Sequence, residues 1–352
     1  MNSPAPAFPV FDPTVCDPHG LRRANRLLLA QDLLAGRTHL RGKPVHLKLE
    51  LTNFCNLACP MCPHKTMQRP VGYMKPSLFR RILDEAAPEL EFAYVHHLGE
   101  SLFHPHLPEL VAYGSRLGVA MGLSTNATFL TERKGAALLS SGLRFLVISL
   151  DATSEESYAT MRTGGDFAKT MQHVDRFLSQ AASHPDLSIV VQMIVSSQNQ
   201  HEVQAFARRF PRHVVFKEAR DWAGQVPLGT LRPRTTPSSP PQPEPPPSLP
   251  CRLPFAELTV LWNGQVVPCA NVFEAVNVLG DLSVQSVSDV WNGPPAQKLR
   301  RAHLQKHVQA IPICNTCPGH AFCAADFVAV DALGQRLRNY RPGQKTPRPG
   351  LS

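Results

Sequence analysis

No apolar run in the chain approaches the roughly 18 residues that a membrane-spanning helix needs, so a helical membrane protein is excluded. Met1 to Cys16 holds neither a basic stretch nor an apolar stretch of signal-peptide length, so the chain reads as cytoplasmic. No internal repeat is visible. Charged residues make up only 18% against 43% hydrophobic, the balance of a soluble globular enzyme and not of a disordered chain. Acidic residues are the scarcer sign, 27 against 36 basic, for a formal charge of +9. Part of that excess lies in Arg208–Arg234 and in Arg336–Arg348. A basic surface can attract nucleic acid or phosphorylated substrates, but charge runs of this kind are read first as a solvated face and a basic tail. Neither nucleic acid nor membrane is an expected partner.

The 352 residues suffice for one large domain and a smaller one. Nine cysteines are present, and without an export signal a reducing cytosol disfavours disulfides. Their positions are uneven: Cys55, Cys59 and Cys62 lie together, five more lie from Cys251 to Cys323, and Cys16 stands apart. Clustering of this kind points to metal or cluster ligation.

Between Val45 and Glu218 short apolar runs alternate with stretches of helical periodicity. The runs Val45–Leu51, Phe92–His97, Val119–Ser124, Phe145–Leu150, Ile189–Val195 and Val214–Phe216 predict six parallel strands. Helices are predicted over Leu21–Ala35 and, between the strands, over Pro76–Ala87, Leu107–Leu117, Glu132–Ser140, Phe167–Ala182 and His201–Phe210. Six units are too few for a closed eight-stranded barrel, so the predicted fold is an α/β partial (β/α)6 barrel with its chemistry at the C-terminal strand ends. Pro227–Pro250 holds ten prolines in 24 residues and reads as an extended linker, with a motif for a proline-binding partner as the alternative. Beyond it, Trp262-Asn263-Gly264 between Ala256–Leu261 and Gln265–Val267 predicts a hairpin, followed by helices at Val287–Trp291 and Pro295–Leu304. The predicted division is a helical extension (1–44), the barrel (45–224), a linker (225–250), a small cysteine-rich domain (251–330) and a basic tail (331–352).

The first strand runs into Asn53-Phe54-Cys55-Asn56-Leu57-Ala58-Cys59-Pro60-Met61-Cys62. Three thiolates in eight residues can hold three irons of a four-iron cubane and leave the fourth without a protein ligand, open to a cofactor. A three-cysteine zinc site is the competing reading. Cys55-x3-Cys59-x2-Cys62 directly after a first strand resembles the signature of the radical S-adenosylmethionine superfamily. The resemblance implies that the open iron is chelated by the amino and carboxylate groups of S-adenosylmethionine, whose reductive cleavage gives methionine and a 5′-deoxyadenosyl radical. By position Met61 resembles the residue packed near the adenine.

Further motifs follow in the order the family implies. His97-Leu98-Gly99-Glu100 is similar to the motif that holds the amino group of S-adenosylmethionine, with Leu98 in place of the first glycine and Glu100 as the carboxylate. Ser124-Thr125-Asn126 ends the third run, and Ser149-Leu150-Asp151 ends the fourth with Ser149 and Asp151 on one face. The resemblance places these two toward the ribose or methionine, and Arg162 toward the methionine carboxylate. Gln192 and Lys217-Glu218 are weaker members of the set, and His96 and His97 raise an acid–base or ligand role against simple packing.

Cys251, Cys269, Cys314, Cys317 and Cys323 resemble the SPASM/twitch extension that carries auxiliary iron–sulfur clusters. The chain lacks two of the seven cysteines of a complete SPASM domain. A single cluster on Cys251, Cys269, Cys314 and Cys317 is the simplest reading, with Cys323 a spare ligand or a thiol near the active site. A second, incompletely ligated cluster and a structural zinc site are the alternatives. The family implies a net two-electron oxidation of a small molecule such as a sugar or cyclitol, or else the modification of a peptide. Only some 44 residues precede the first strand, so the recognition module of many peptide-modifying members is not expected. Sugar epimerisation is a third outcome, with Cys323 or Cys16 returning hydrogen. A low-potential donor such as flavodoxin or ferredoxin is the implied partner. A zinc-stabilised, non-catalytic binding protein is the reading from a different class.

Overall fold

The computed structural model describes residues 20–219, 221–232 and 250–317. The helices are α1 (Leu21–Leu34), α2 (Pro76–Ala86), α3 (Leu107–Arg116), α4 (Glu132–Leu139), α5 (Glu155–Met161), α6 (Phe167–Ala181), α7 (Val203–Arg209), α8 (Leu253–Ala256), α9 (Val287–Trp291), α10 (Pro294–Leu304) and α11 (Pro312–Asn315). The strands are β1 (His46–Leu49), β2 (Phe92–Tyr94), β3 (Ala120–Thr125), β4 (Phe145–Ser149), β5 (Ser188–Val195), β6 (Val214–Glu218), β7 (Glu257–Val260), β8 (Gln265–Val267) and β9 (Gly280–Asp281). All form one sheet in the order β6-β5-β4-β3-β2-β1-β7-β8-β9.

From β1 to β6 every pairing is parallel, and each strand leads into at least one helix before the next, as βαβ units require. Such strands are covered on both faces, so they read as continuous apolar runs. In β4, Phe145, Leu146, Val147 and Ile148 are all buried. Leu146 and Ile148 belong to the outer core with Val174 and Phe177 of α6. Phe145 and Val147 meet Val190, Val215, Phe92 and Tyr94 in a separate inner group that fills the barrel floor. Gly122 makes room for that floor: a Cβ there would stand 2.5 Å from the Phe92 ring. The partial six-stranded barrel predicted from the sequence is therefore observed, open between β6 and the far edge of the sheet.

Several features lie outside the sequence reading, among them the short α8, β9 and α11. Helix α5 was not predicted, although Ser154 caps it by accepting from Ser157 N, and Glu155 and Glu156 stand in its first turn. More consequentially, β7 pairs in parallel with β1, from His46↔Glu257 to Leu49↔Val260. The chain after the proline-rich segment thus extends the barrel sheet itself, and the predicted Trp262-Asn263-Gly264 turn then reverses it into β8. No helix among the described residues is long and apolar enough to cross a membrane.

Candidate active site and the two cysteine groups

The parallel strands end on one rim, and the loop after β1 carries the first three cysteines there. That loop is fixed at its root. Asn53 Nδ2 donates to Pro70 O (2.9 Å), Gly72 N donates to Asn53 Oδ1 (2.9 Å), and Thr52 Oγ1 donates to Gly72 O (2.7 Å). His64 Nε2 stands 2.8 Å from Asn53 O. Below the loop the buried Glu50 is paired with Arg69, whose Nη1 donates to Oε2 at 2.6 Å. Burial pushes the Glu50 carboxyl up, and Arg69 opposes that.

Cys59 is buried with Leu57, Met61 and Met161, and Cys55 and Cys62 pack against the same group. Burial pushes the Cys55 thiol up to about 12 and the Cys62 thiol up to about 11, and raises Cys59 as well. Donors already point at the sulfurs: Leu57 N (3.5 Å) and Asn126 Nδ2 (3.8 Å) at Cys55, and Arg162 Nη1 (3.8 Å) at Cys59. Three thiols, Cys59 buried and Cys55 and Cys62 half-buried, that resist ionisation alone yet are met by donors and a guanidinium fit thiolates held by iron.

The polar residues implied by the resemblance gather around this loop. Gly99 has φ 79°, and a Cβ there would lie 2.6 Å from Thr52 O and 2.7 Å from Phe54 O. Only glycine fits this approach. It sets the adjoining Glu100 N to donate to Phe54 O at 2.7 Å. The Glu100 carboxylate is buried and accepts from Leu102 N (3.0 Å), Thr125 Oγ1 (2.8 Å) and Asn126 N (2.6 Å). Burial raises its pKa, against those hydrogen bonds.

Asp151 stands beyond β4 in a left-handed conformation, φ 66°, where its Oδ1 accepts from Ile194 N (2.6 Å) and its carbonyl accepts from Asn199 Nδ2 (2.8 Å). Its Oδ2 is 2.7 Å from Arg162 Nη2, an ion pair. The angles there are not those of a hydrogen bond: Asp151 Oδ2, Arg162 Nε and Arg162 Nη2 are buried without a hydrogen-bond partner among the described residues. Burial works against the Arg162 charge, but Asp151 and Cys59 outweigh it and hold the guanidinium ionised. Asp151 Oδ2 and Arg162 Nη2 meet only as an ion pair and Arg162 Nε has no hydrogen-bond partner among the described residues, so beside Cys59 a bound polar cofactor can complete the guanidinium.

Met61 is buried with Leu57, Met161, Leu228 and Leu231 beside Cys59. Ser149 ends β4, 3.3 Å from Ser124 Oγ and paired with Gln192 on β5. Lys217 and Glu218 end β6 opposite Ile194 and Val195. The two histidines divide. His97 is buried with Nε2 3.1 Å from Val272 O, whereas His96 neighbours Tyr94 on the inner face and Ser101 Oγ at 3.4 Å. Burial holds both in the neutral form, His96 at about 4.

The second group forms around Leu261, Val267, Val272 and Ile313, where Cys269, Cys314 and Cys317 come together. Burial pushes Cys269 up to about 12 and Cys314 up to about 11. Asn271 Nδ2 donates to Cys317 Sγ (3.4 Å), and His303 Nε2 lies 3.5 Å from Cys314 Sγ. Cys251 lies ahead of α8, half-buried and outside that packing group. Cys16, Cys323 and the basic tail from 331 lie outside the described residues. Among the described residues no three His, Cys, Asp or Glu side chains converge as ligands of one ion would. A cubane takes one thiolate per iron, so its ligands stand around a volume and not at a point.

The sequence reading missed the segment that joins the two groups. Residues 221–232 follow β6, and their second half is the start of the stretch read as a linker. Leu228 and Leu231 pack beside Cys59, Val226 lies against Leu98 and Phe273 with Cys62 alongside, and Ala223 sits among Cys269, Cys314 and Cys317. Thr316 Oγ1 donates to Ala223 O (2.5 Å), and Gln225 Nε2 donates to Asn271 O (2.8 Å). Asn199, Asn271 and His303 were also missed. Asn271, two residues after Cys269, was the one with a positional signal.

Comparison with known proteins agrees with this geometry. The family model described as "Radical SAM superfamily" matches residues 49–210, and that of the SPASM iron–sulfur cluster-binding domain matches residues 251–318. A tungsten-containing aldehyde ferredoxin oxidoreductase cofactor-modifying protein of Pyrococcus furiosus is 30% identical over 168 residues, 46% of this chain and 47% of that protein. The chain thus spans about half the length of the curated relatives it matches. Among solved structures, Streptococcus suis SuiB bound to precursor peptide SuiA matches with a TM-score of 0.60 at 14% identity, over 77% of this chain and 69% of that one. BtrN in complex with AdoMet and 2-DOIA matches with a TM-score of 0.51 at 17% identity, over 78% of this chain and 92% of that one. These two show the fold. Domains of these two kinds imply [4Fe–4S] clusters and S-adenosylmethionine as cofactors. With its cysteine loop on a parallel strand end and a second cysteine group built onto the same sheet, the chain belongs to the radical S-adenosylmethionine superfamily, in the subgroup that carries a SPASM domain.

Proposed function

We propose that the protein is a radical S-adenosylmethionine oxidoreductase that removes hydrogen from a small molecule, such as a sugar or cyclitol, in a net two-electron oxidation. The observation that carries this reading is the segment 221–232, which packs against both cysteine groups, as a link between a radical site and a second redox site would. When bound, the first cluster supplies one-electron cleavage of the sulfonium, and the auxiliary cluster supplies an acceptor for the electron left on substrate. Cys55, Cys59 and Cys62 would hold the first. Cys269, Cys314 and Cys317 would hold the second, completed by Cys251 or Cys323.

The remaining residues bind and orient. Glu100, set by Gly99, presents its carboxylate to the amino group of S-adenosylmethionine. Arg162, whose Nε has no hydrogen-bond partner among the described residues, receives the methionine carboxylate, and Asp151 keeps the guanidinium charged and aimed. Ser149 stands toward the ribose, and Met61 with its apolar neighbours toward the adenine. Cellular electrons would come from a low-potential carrier, flavodoxin or ferredoxin, in the cytoplasm.

A second reading, modification of a peptide, draws on the open barrel. β6 pairs only with β5 among the described residues, and its other edge can accept an extended chain. The structural likeness to SuiB, whose structure holds a precursor peptide, favours the same reading.

The test is 5′-deoxyadenosine formation by anaerobically reconstituted, dithionite-reduced protein, beside a Cys55/Cys59/Cys62→Ala variant. Product is expected from the parent alone. Sugars, cyclitols and peptides are then screened for a product two hydrogens lighter. A peptide hit would replace the first reading by the second, and a sugar product of unchanged mass would indicate epimerisation. Zinc without iron in the reconstituted protein would overturn both readings.

A further inference from the structure

Three aromatic rings crowd the outer side of the first cysteine loop. Phe54 precedes Cys55 and meets Phe103 edge-on with ring centroids 4.8 Å apart, and Phe103 meets Phe129 at 4.5 Å. Phe54 is 37% exposed and Phe129 38%, although large apolar side chains gain by leaving water. Lys134 Nζ lies 5.4 Å from the Phe129 ring centroid and 5.7 Å from that of Phe103, and it donates to Leu102 O at 2.6 Å. Leu102, Phe103, Pro105, Arg133, Lys134 and Leu138 line a groove of about 370 Å³ beside these rings.

The patch is wired to the cysteine loop by short links. Thr128, next to Phe129, has its Oγ1 3.1 Å from Asn56 Nδ2. Asn126 Nδ2 donates to Asn56 Oδ1 at 3.1 Å and reaches Cys55 Sγ at 3.8 Å. The exposed Lys65 adjoins His64, whose ring nitrogen lies 2.8 Å from the carbonyl of Asn53, the residue before Phe54. The exposed Arg133 lines the groove beside this apolar centre, and the exposed Lys65 follows the cysteine loop in sequence.

We infer that this face, centred on Phe54, Phe103 and Phe129 and rimmed by Lys65, Arg133 and Lys134, is the docking surface for a small acidic electron-carrier protein. The inference rests on the radical reading of the Cys55 loop and adds the route by which it is reduced. One electron leaves the reduced carrier and enters the cluster held by Cys55, Cys59 and Cys62, and the oxidised carrier departs. Charge complementarity selects an acidic partner, speeds encounter and makes it salt-sensitive, while the aromatic centre provides the contact.

The experiment compares two electron sources in the same 5′-deoxyadenosine assay: dithionite, and a reduced acidic flavodoxin or ferredoxin. The variants are Arg133→Glu, Lys65→Glu and Phe129→Ala, each with its reduced-cluster EPR spectrum recorded so that a loading defect is seen directly. Expected with the charge reversals is a loss of kcat/KM for the carrier of roughly tenfold or more, within the span of electrostatic steering. The dithionite rate should stay within about twofold, and the parent's carrier rate should fall steeply with salt. Unchanged carrier kinetics in all three variants would overturn the inference. So would an equal fall with both reductants, as for a substrate-binding face, or a change in oligomeric state alone, as for a self-association face. Absence of product from the parent with either reductant would instead refute the radical reading beneath it.

Discussion

The two cysteine groups solve different physical problems. Around Cys55, Cys59 and Cys62 stand ionisable side chains, Glu100, Asp151 and Arg162, and three of their buried polar atoms lack a hydrogen-bond partner among the described residues. Around Cys269, Cys314 and Cys317 stand Leu261, Val267, Val272 and Ile313, and polar groups on sulfur include the neutral Asn271 amide and the His303 ring. A site that must seat a zwitterionic cofactor keeps charge and unmet donors in reserve. A site that only holds a cluster can be apolar and closed. The difference teaches which group carries the chemistry.

The largest expected effect is at the ion pair that marks the first group. Arg162→Leu would leave Asp151 buried without its countercharge, a loss of about 3–5 kcal/mol in stability. Urea unfolding of the variant measures it, and S-adenosylmethionine binding should vanish in the same protein. The corresponding change at the second group, Asn271→Leu, should leave that binding intact. If both variants bind equally, the contrast between the groups fails.

Alkaline pH should act on both groups when no cluster is bound. The Cys55, Cys62 and Cys269 thiols are held above their ordinary value of 9.0 in the folded chain. Above that value the unfolded chain has released protons that the folded chain keeps, so stability falls as pH rises toward 11 to 12. The loss is at most about 1.4 kcal/mol per pH unit for each thiol, and less where water reaches it, since all three are half-buried. Melting temperatures of the cluster-free protein at pH 8 and pH 10 should therefore separate more than those of the loaded protein, in which the thiolates are ligated in the folded state. Equal separation would contradict the assignment of these thiols as ligands.

Gly99→Ala introduces a Cβ against Thr52 O and Phe54 O in a left-handed conformation. A cost of roughly 1–3 kcal/mol is expected. Denaturation should register it together with weaker S-adenosylmethionine binding, because Glu100 moves with its neighbour. The smallest effect is expected at the second group. His303→Phe removes a polar contact to Cys314, and fewer hydrogen bonds to sulfur should make the auxiliary cluster harder to reduce. Potentiometric EPR would show a downward shift of one signal only.

Much of this contrast is legible in the sequence. The strands announce themselves as apolar runs, and the Cys55-x3-Cys59-x2-Cys62 spacing marks the first group without help from the fold. The β1–β7 pairing leaves no such trace, because it joins residues some 200 positions apart through backbone groups that every residue possesses. Segment 221–232 is obscured by the prolines downstream, although Ala223, Val226, Leu228 and Leu231 become buried. His303 lies on α10 among surface-type residues, and only the tertiary approach of Cys314 gives it meaning.

The central claim is that one group binds S-adenosylmethionine and the other does not. EPR of the reduced, reconstituted protein with and without S-adenosylmethionine tests it, in the parent and in the Cys55/Cys59/Cys62→Ala variant. Two cluster signals are predicted in the parent, one of them altered by S-adenosylmethionine, and a single unresponsive signal in the variant. A remaining signal that still responds to S-adenosylmethionine would contradict the account.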